Sequence, residues 1–171
     1  MTRRSLARLL AAALLGGGST SSAEAAPEAA AQTKPSLAVF DFAITNTSGA
    51  ATTAAETARL HALDAQMRQL LASRFTLIDA APVRDRLQDV QSIRGCNGCE
   101  IDLARELGAD RLAYGWVQKV SNLILNVNVV FEDVATGRTL QADSVDIRGN
   151  TDESWSRGLR YLVDERLFRD D

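Results

Sequence analysis

Cys96 and Cys99 enclose Asn97-Gly98 and are the only cysteines of the chain. Two thiols this close on a flexible turn form a disulfide in an oxidising compartment. One chemistry for the pair is a staple that fixes the loop entering a helix at Ile101. The other is thiol–disulfide exchange, because Cys99 near a helix N-terminus would have its thiolate stabilised by the dipole. A thioredoxin-like centre, however, sets its pair directly after a strand at the head of a long helix, with an aromatic before it and a cis-proline opposite. None of these is recognisable around Cys96, so the staple is the preferred reading and a periplasmic redox protein the alternative.

His61 is the only histidine. A tetrahedral zinc site would have to join it to Cys96, Cys99 and a carboxylate at a spacing that nothing recommends. A Ser-His-Asp triad built on Ser121 or Ser154 would need the same imidazole. We read His61 as solvated surface. Asp143, Asp146, Asp152 and Glu153 crowd around Arg148-Gly149 with Asn150, and hard cations take several oxygens gathered on a loop. The same residues also describe a helix start, with Asn150 as N-cap, Glu153 as its reciprocal carboxylate and Asp152 in the first turn. Without EF-hand spacing, the helix start is preferred. No metal and no cofactor are assigned, and a metal-ion or small-molecule carrier remains a further alternative.

Aromatic residues make up 5% of the chain, which isolates Trp116 and Trp155. Trp116 shares a strand face with Leu112 and Tyr114, and Trp155 opens the helical stripe Trp155, Leu159, Leu162, Val163; both fit a core where helix meets sheet. Exposed instead, Tyr114 and Trp116 would anchor a partner. Asn122, Asn126 and Asn128 would then add a polar face, and Gly115 would admit close approach of another backbone or a twist in the strand.

These residues hang on a scaffold from Gly108 to Ile147. Leu123, Leu125, Val127, Val129 and Phe131 alternate with Asn126, Asn128 and Glu132, the pattern of a strand with one dry face. Arg111 to Lys119 precedes it across Val120-Ser121-Asn122, and Arg138 to Ile147 returns antiparallel after a turn at Ala135-Thr136-Gly137. Upstream, Ser36 to Ile44 reads as a central strand and Asn46 to Thr53 as a loop. Leu60, Leu63, Met67, Leu70 and Leu71 recur at helical spacing. Phe75 to Asp79 is a short strand, and Pro82 opens a small helix reaching Asp89 or Val90. Ile101, Leu103, Ala104 and Leu107 form a second helical stripe ended by Gly108, and a last helix starts near Thr151. The fold class is α/β (α+β): a mixed sheet of about five strands in the order β-α-β-α-α-β-β-β-α, helices packed on it, with a C-terminal three-stranded antiparallel meander.

Residues 1–25 stand outside this domain. Arg3, Arg4 and Arg8 make a basic front, Leu6 to Leu15 is a short apolar run, and Ala23-Glu24-Ala25 carries the small residues of a signal-peptidase site. The run falls short of the roughly 20 residues that span a bilayer, so a cleaved signal peptide is read rather than an anchor. Thr2-Arg3-Arg4-Ser5-Leu6 is similar to a twin-arginine signal; the general secretory route is the reading taken. Residues 26–35 form a flexible leader and 36–171 a single domain. Cleavage removes three arginines and Glu24, taking the charge from −3 to −5. An acidic chain without a basic stripe is a poor nucleic-acid or anionic-membrane binder.

The order of Leu37-Ala38-Val39-Phe40-Asp41-Phe42, a long helix, Arg74-Phe75-Thr76-Leu77-Ile78-Asp79, Leu107-Gly108-Ala109-Asp110 and Thr136-Gly137 resembles the small α/β domain shared by the amino-terminal part of TolB and by the curli secretion lipoprotein CsgG. Cys96-Asn97-Gly98-Cys99, Gly115-Trp116 and Asn150-Thr151-Asp152-Glu153-Ser154-Trp155 resemble a family of small exported proteobacterial proteins of unknown function. TolB's propeller and CsgG's pore-forming segments are absent from the sequence. The resemblance implies a non-enzymatic periplasmic accessory or adaptor that binds a protein of an envelope or transport system.

Overall fold

The computed structural model describes residues 33–89 and 93–169. The segment read as a signal peptide, and all but the last three residues of the leader, lie outside them.

Thr53 caps the first long helix, α1 (Ala54–Leu71), in a reciprocal box with Glu56, which fixes where the loop ends and the helix starts. Ahead of it, two strands replace the single one expected over Ser36 to Ile44: β1 (Ser36–Val39) and β2 (Ala43–Asn46). The break has a cause on another element. Phe42 donates its backbone N–H to the Asp64 carboxylate on α1 at 2.6 Å and so leaves the strand ladder. Its ring lies over Gly115, where an added Cβ would clash with Phe42 Cε1 and stand 2.8 Å from the Asn128 carbonyl. Gly115 therefore admits a ring of the protein's own.

β3 (Thr76–Ile78) follows, and then a 3-10 turn, Ala81–Val83, with Pro82 in its opening positions, leads into α2 (Arg84–Asp89). Another short helix, α3 (Cys99–Glu106), ends at Gly108 with φ 73°, the left-handed stop anticipated there. β4 (Arg111–Lys119), β5 (Ile124–Asp133) and β6 (Arg138–Arg148) form the antiparallel meander, and Gly137 takes φ 66° in its second turn. Leu123, expected to extend the dry face of β5, lies just before the strand and is 72% exposed. The last helix, α4 (Asp152–Tyr161), runs into a π-helical turn, Leu162–Leu167.

The sheet has six strands, in the order β3-β1-β4-β5-β6 with β2 also on β4; β1 is parallel to β3 and β4, and β2 is parallel to β4. One face packs Leu63, Met67 and Leu71 of α1 and Trp155 and Leu159 of α4 against Val117, Leu125, Val127 and Val129. The other face packs Val83, Ile101 and Ala104 against Ala38, Phe40, Leu112 and Tyr114. Each layer follows from the two-residue period of the strands and the helical spacing of the apolar stripes.

Candidate functional site

The turn between β4 and β5 gathers Val120, Leu123 and Ile124, exposed by 48%, 72% and 52%. Ser121 closes this turn: its Oγ accepts the N–H groups of Leu123 and Ile124 at 3.2 and 3.1 Å, while the Val120 N–H bonds the Ile124 carbonyl at 3.1 Å. Apolar side chains are thus held outward on a closed turn.

A buried ionic network supports it. At the end of β4, the Lys119 ammonium meets Glu56 of α1 at 2.6 Å, with the two side chains 4% and 0% exposed. Glu56 also accepts the Thr53 N–H and the Asn150 amide, each at 2.7 Å. Burial pushes this carboxyl's pKa up, but the bonds from Lys119, Thr53 and Asn150 outweigh it and hold it down at about 2. Asn150 donates in addition to Asn122 in the turn at 3.2 Å, and its oxygen accepts the indole N–H of Trp155 and a guanidinium N–H of Arg59. Every strong donor and acceptor here has a counterpart, which is what makes a buried charge tolerable.

Asn150 is accordingly not the N-cap of α4. Thr151 is, accepting the Ser154 N–H at 3.2 Å, because Asn150 is drawn inward to Glu56 and Trp155. Asp152 lies in the first turn as expected, paired with Arg59 at 2.7 Å. The other acidic residues point to separate partners. Asp143 pairs with Arg166 of the C-terminal turn at 2.9 Å, Glu153 with Arg157 one helical turn on, and Asp146 accepts from Asn126 at 2.8 Å. Arg166, together with the Ser144 N–H, keeps the Asp143 carboxyl below its ordinary range. These four carboxylates are therefore not brought together around one point.

Of the remaining partner-binding candidates, Asn122 is exposed and Asn126 and Asn128 are half-buried on β5. Tyr114 is only 7% exposed, its hydroxyl 3.4 Å from the Glu132 carboxylate, so the condition under which it would anchor a partner is not met. Burial first, then the Glu132 and Glu100 charges, push its phenol pKa up. Trp116 is half-buried under the Arg94 guanidinium, 4.3 Å from the ring centroid. Trp155 is core, at 1% exposure.

Cys96 and Cys99 form a disulfide with Cα atoms 5.5 Å apart, and Asn97 and Gly98 both take positive φ in the turn between them. α3 begins at Cys99, two residues earlier than the Ile101 start expected, so Cys99 lies at the helix N-terminus. The Glu100 carboxylate lies 2.9 Å from Cys96 Sγ, a neighbour that would disfavour a thiolate there. Cys96, Cys99 and Glu100 form the one group of three metal-ligand types found together among the described residues, and the bond between the sulfurs occupies both thiols. His61 is 77% exposed on its side chain, with Nδ1 3.7 Å from Asp64.

Sequence reasoning missed the buried polar residues Glu56, Lys119 and Asp64, and Glu132, read on the wetter face of β5, is only 7% exposed. Thr53-x-x-Glu56 was a readable capping signal; nothing in the sequence pairs Glu56 with Lys119 on another element.

The family model DUF3280, described as protein of unknown function (DUF2380), matches residues 35–167, and the chain belongs to that family. No curated protein matches the sequence. In fold the chain is similar to lipoprotein GNA1162 from Neisseria meningitidis, at TM-score 0.50 and 16% identity over 79% of this chain and 95% of that one. It is also similar to the LpoB C-terminal domain from Escherichia coli, at 0.46 and 19% over 67% and 82%. TolB from Acinetobacter baumannii matches at 0.44 and 12% over 80% of this chain and 29% of that one. At such identities the likeness is one of fold.

Proposed function

We propose that this member of the DUF3280 family is an exported, non-enzymatic accessory protein that docks a protein of the cell envelope on its β4–β5 turn. The observation that carries this reading is the clustering of Val120, Leu123 and Ile124. Five large apolar side chains are exposed among the described residues, and three of them sit within five positions on this one turn. Burying such side chains is worth roughly 1.5 to 3 kcal/mol apiece, and a preformed turn spends little of that on ordering. Asn122 beside them, with Asn126 and Asn128 along β5, provides a polar margin, and half-buried Trp116 borders Asn128 in the strand register.

Export rests on the basic front, the short apolar run and the Ala23-Glu24-Ala25 site, with cleavage before Ala26 and a periplasmic mature protein. No helix among the described residues is long and apolar enough to cross a membrane. The disulfide acts as a staple at the head of α3. Replacing Leu123 and Ile124 together by Asp tests the docking role. The doubly substituted protein should keep its melting temperature yet run as the free chain in native extracts, where the parent runs in a larger assembly. Retention of the variant in that assembly would refute the assignment of the site.

A further inference from the structure

β1 and β3 lie side by side and parallel, but the chain leaves them towards opposite faces of the sheet: after β1 it proceeds by β2 to α1, and after β3 to α2 and α3. Such a parting of neighbours leaves a crevice beyond the carboxyl ends of the strands, where open α/β sheets bind ligands. Here the crevice is a cleft of about 670 Å³, within the usual range for small-molecule sites. Leu77, Ile78 and Ala80 at the end of β3 and Leu87 of α2 supply an apolar wall.

The polar groups are unequally occupied. Asp41 is held by Arg68 at 2.5 Å. Asp79 spends one oxygen on the Ala81 N–H at 2.9 Å. Asp64 lines the cleft with a side chain only 8% exposed; one oxygen takes the Phe42 N–H, and the other accepts no hydrogen bond among the described residues, with His61 Nδ1 3.7 Å away. Burial, with the Asp41 charge adding to it, pushes the Asp64 carboxyl up to about 6 against the pull of the Phe42 N–H, Arg68 and His61. Arg84 also lines the cleft, opposite in sign to Asp64 and Asp79.

We propose that this cleft binds a small organic cation, a protonated amine on an apolar stem, with the ammonium on the open oxygen of Asp64 and the stem against the β3 and α2 wall. A buried carboxylate with an unfilled acceptor gains most from a charged donor. A hard metal ion would want several oxygens converging on one point, and Asp41 and Asp79 are already engaged. An anionic ligand could use Arg84 but would meet Asp64 and Asp79 as well, while Arg68 is taken by Asp41. This site is independent of the β4–β5 turn, and the two assignments can fail separately.

Calorimetric and NMR titration of the purified protein at about pH 7.5 with n-hexylamine, hexanoate and n-hexanol separates the classes. Hexylamine should bind saturably, move the amide signals of Phe42, Asp64 and Asp79, and exceed the other two in affinity by about tenfold or more. Asp64→Asn, which keeps an oxygen for the Phe42 N–H, should weaken hexylamine by a similar factor. Ala65→Leu, made from an exposed helical position that lines the cleft, should do so by filling space with Asp64 intact. Equal affinities for the three probes, a preference for hexanoate, no saturable binding of hexylamine, or indifference to Asp64→Asn would each overturn the proposal.

Discussion

At the scale of single residues, the molecule rests on two buried carboxylates whose surroundings drive them in opposite directions. Glu56 is ionised and paired: its carboxyl is lowered to about 2 from an ordinary 4.5, so the stability it contributes is complete above about pH 4.5 and is lost as pH falls through 2. Lys119→Met should therefore cost about 3 to 5 kcal/mol, because it strands a buried charge, whereas Lys119→Met with Glu56→Leu should cost far less than the sum of the single changes. Urea unfolding of the four proteins checks this, and additive losses would show that the pair does not act as a unit. Asp64 is the reverse case. Its carboxyl is raised to about 6 from an ordinary 3.8, so its contribution is fully present below about pH 4 and is lost as pH rises through 6. Asp64→Asn should accordingly stabilise the fold by roughly 1 to 3 kcal/mol at pH 7 to 8, with the gain vanishing below about pH 4. Melting curves across that range would contradict the account if the gain were independent of pH.

At the scale of elements, what decides the structure is how closely pieces approach. Gly115 leaves room for the Phe42 ring over β4, and an added methyl would meet both that ring and the Asn128 backbone. Gly115→Ala should cost about 1 to 3 kcal/mol, as overpacking does, with Phe42→Leu partly relieving it when both are introduced; a neutral Gly115→Ala measured by denaturant would contradict this. The elements themselves were legible wherever a period governs them. The β5 alternation, the Met67–Leu71 stripe and the Gly108 stop depend on neighbours within a turn or two of chain. The break between β1 and β2 was not legible, because the acceptor that draws Phe42 out of the ladder is Asp64, in the middle of α1. For the same reason, the sequence points to Asn150 and not Thr151 as the cap of α4: Asn150 answers to Glu56 and Trp155, contacts that only the folded chain creates. Leu123 carries an apolar residue in phase with β5, and alternation alone does not mark where a strand stops and a turn begins.

At the largest scale, among the described residues, a two-faced sheet with helices on both sides holds the core and leaves the apolar β4–β5 turn outside it. The polar residues behind that turn are engaged with one another. Glu56, Lys119, Asn150 and Asn122 join α1, β4, the lead into α4 and the turn itself, a hydrogen-bonded support for the proposed docking surface. The family and the fold neighbours supply architecture, and the docking role rests on the residues of the turn. Site-specific photo-crosslinking in living cells tests it most directly, with a photoreactive side chain at Leu123 and, as control, at exposed Ala135 in the β5–β6 turn. The account predicts one discrete adduct with an envelope protein from position 123 and none from position 135. Adducts from 135 alone, equal and diffuse labelling from both, or no adduct from 123 would contradict it.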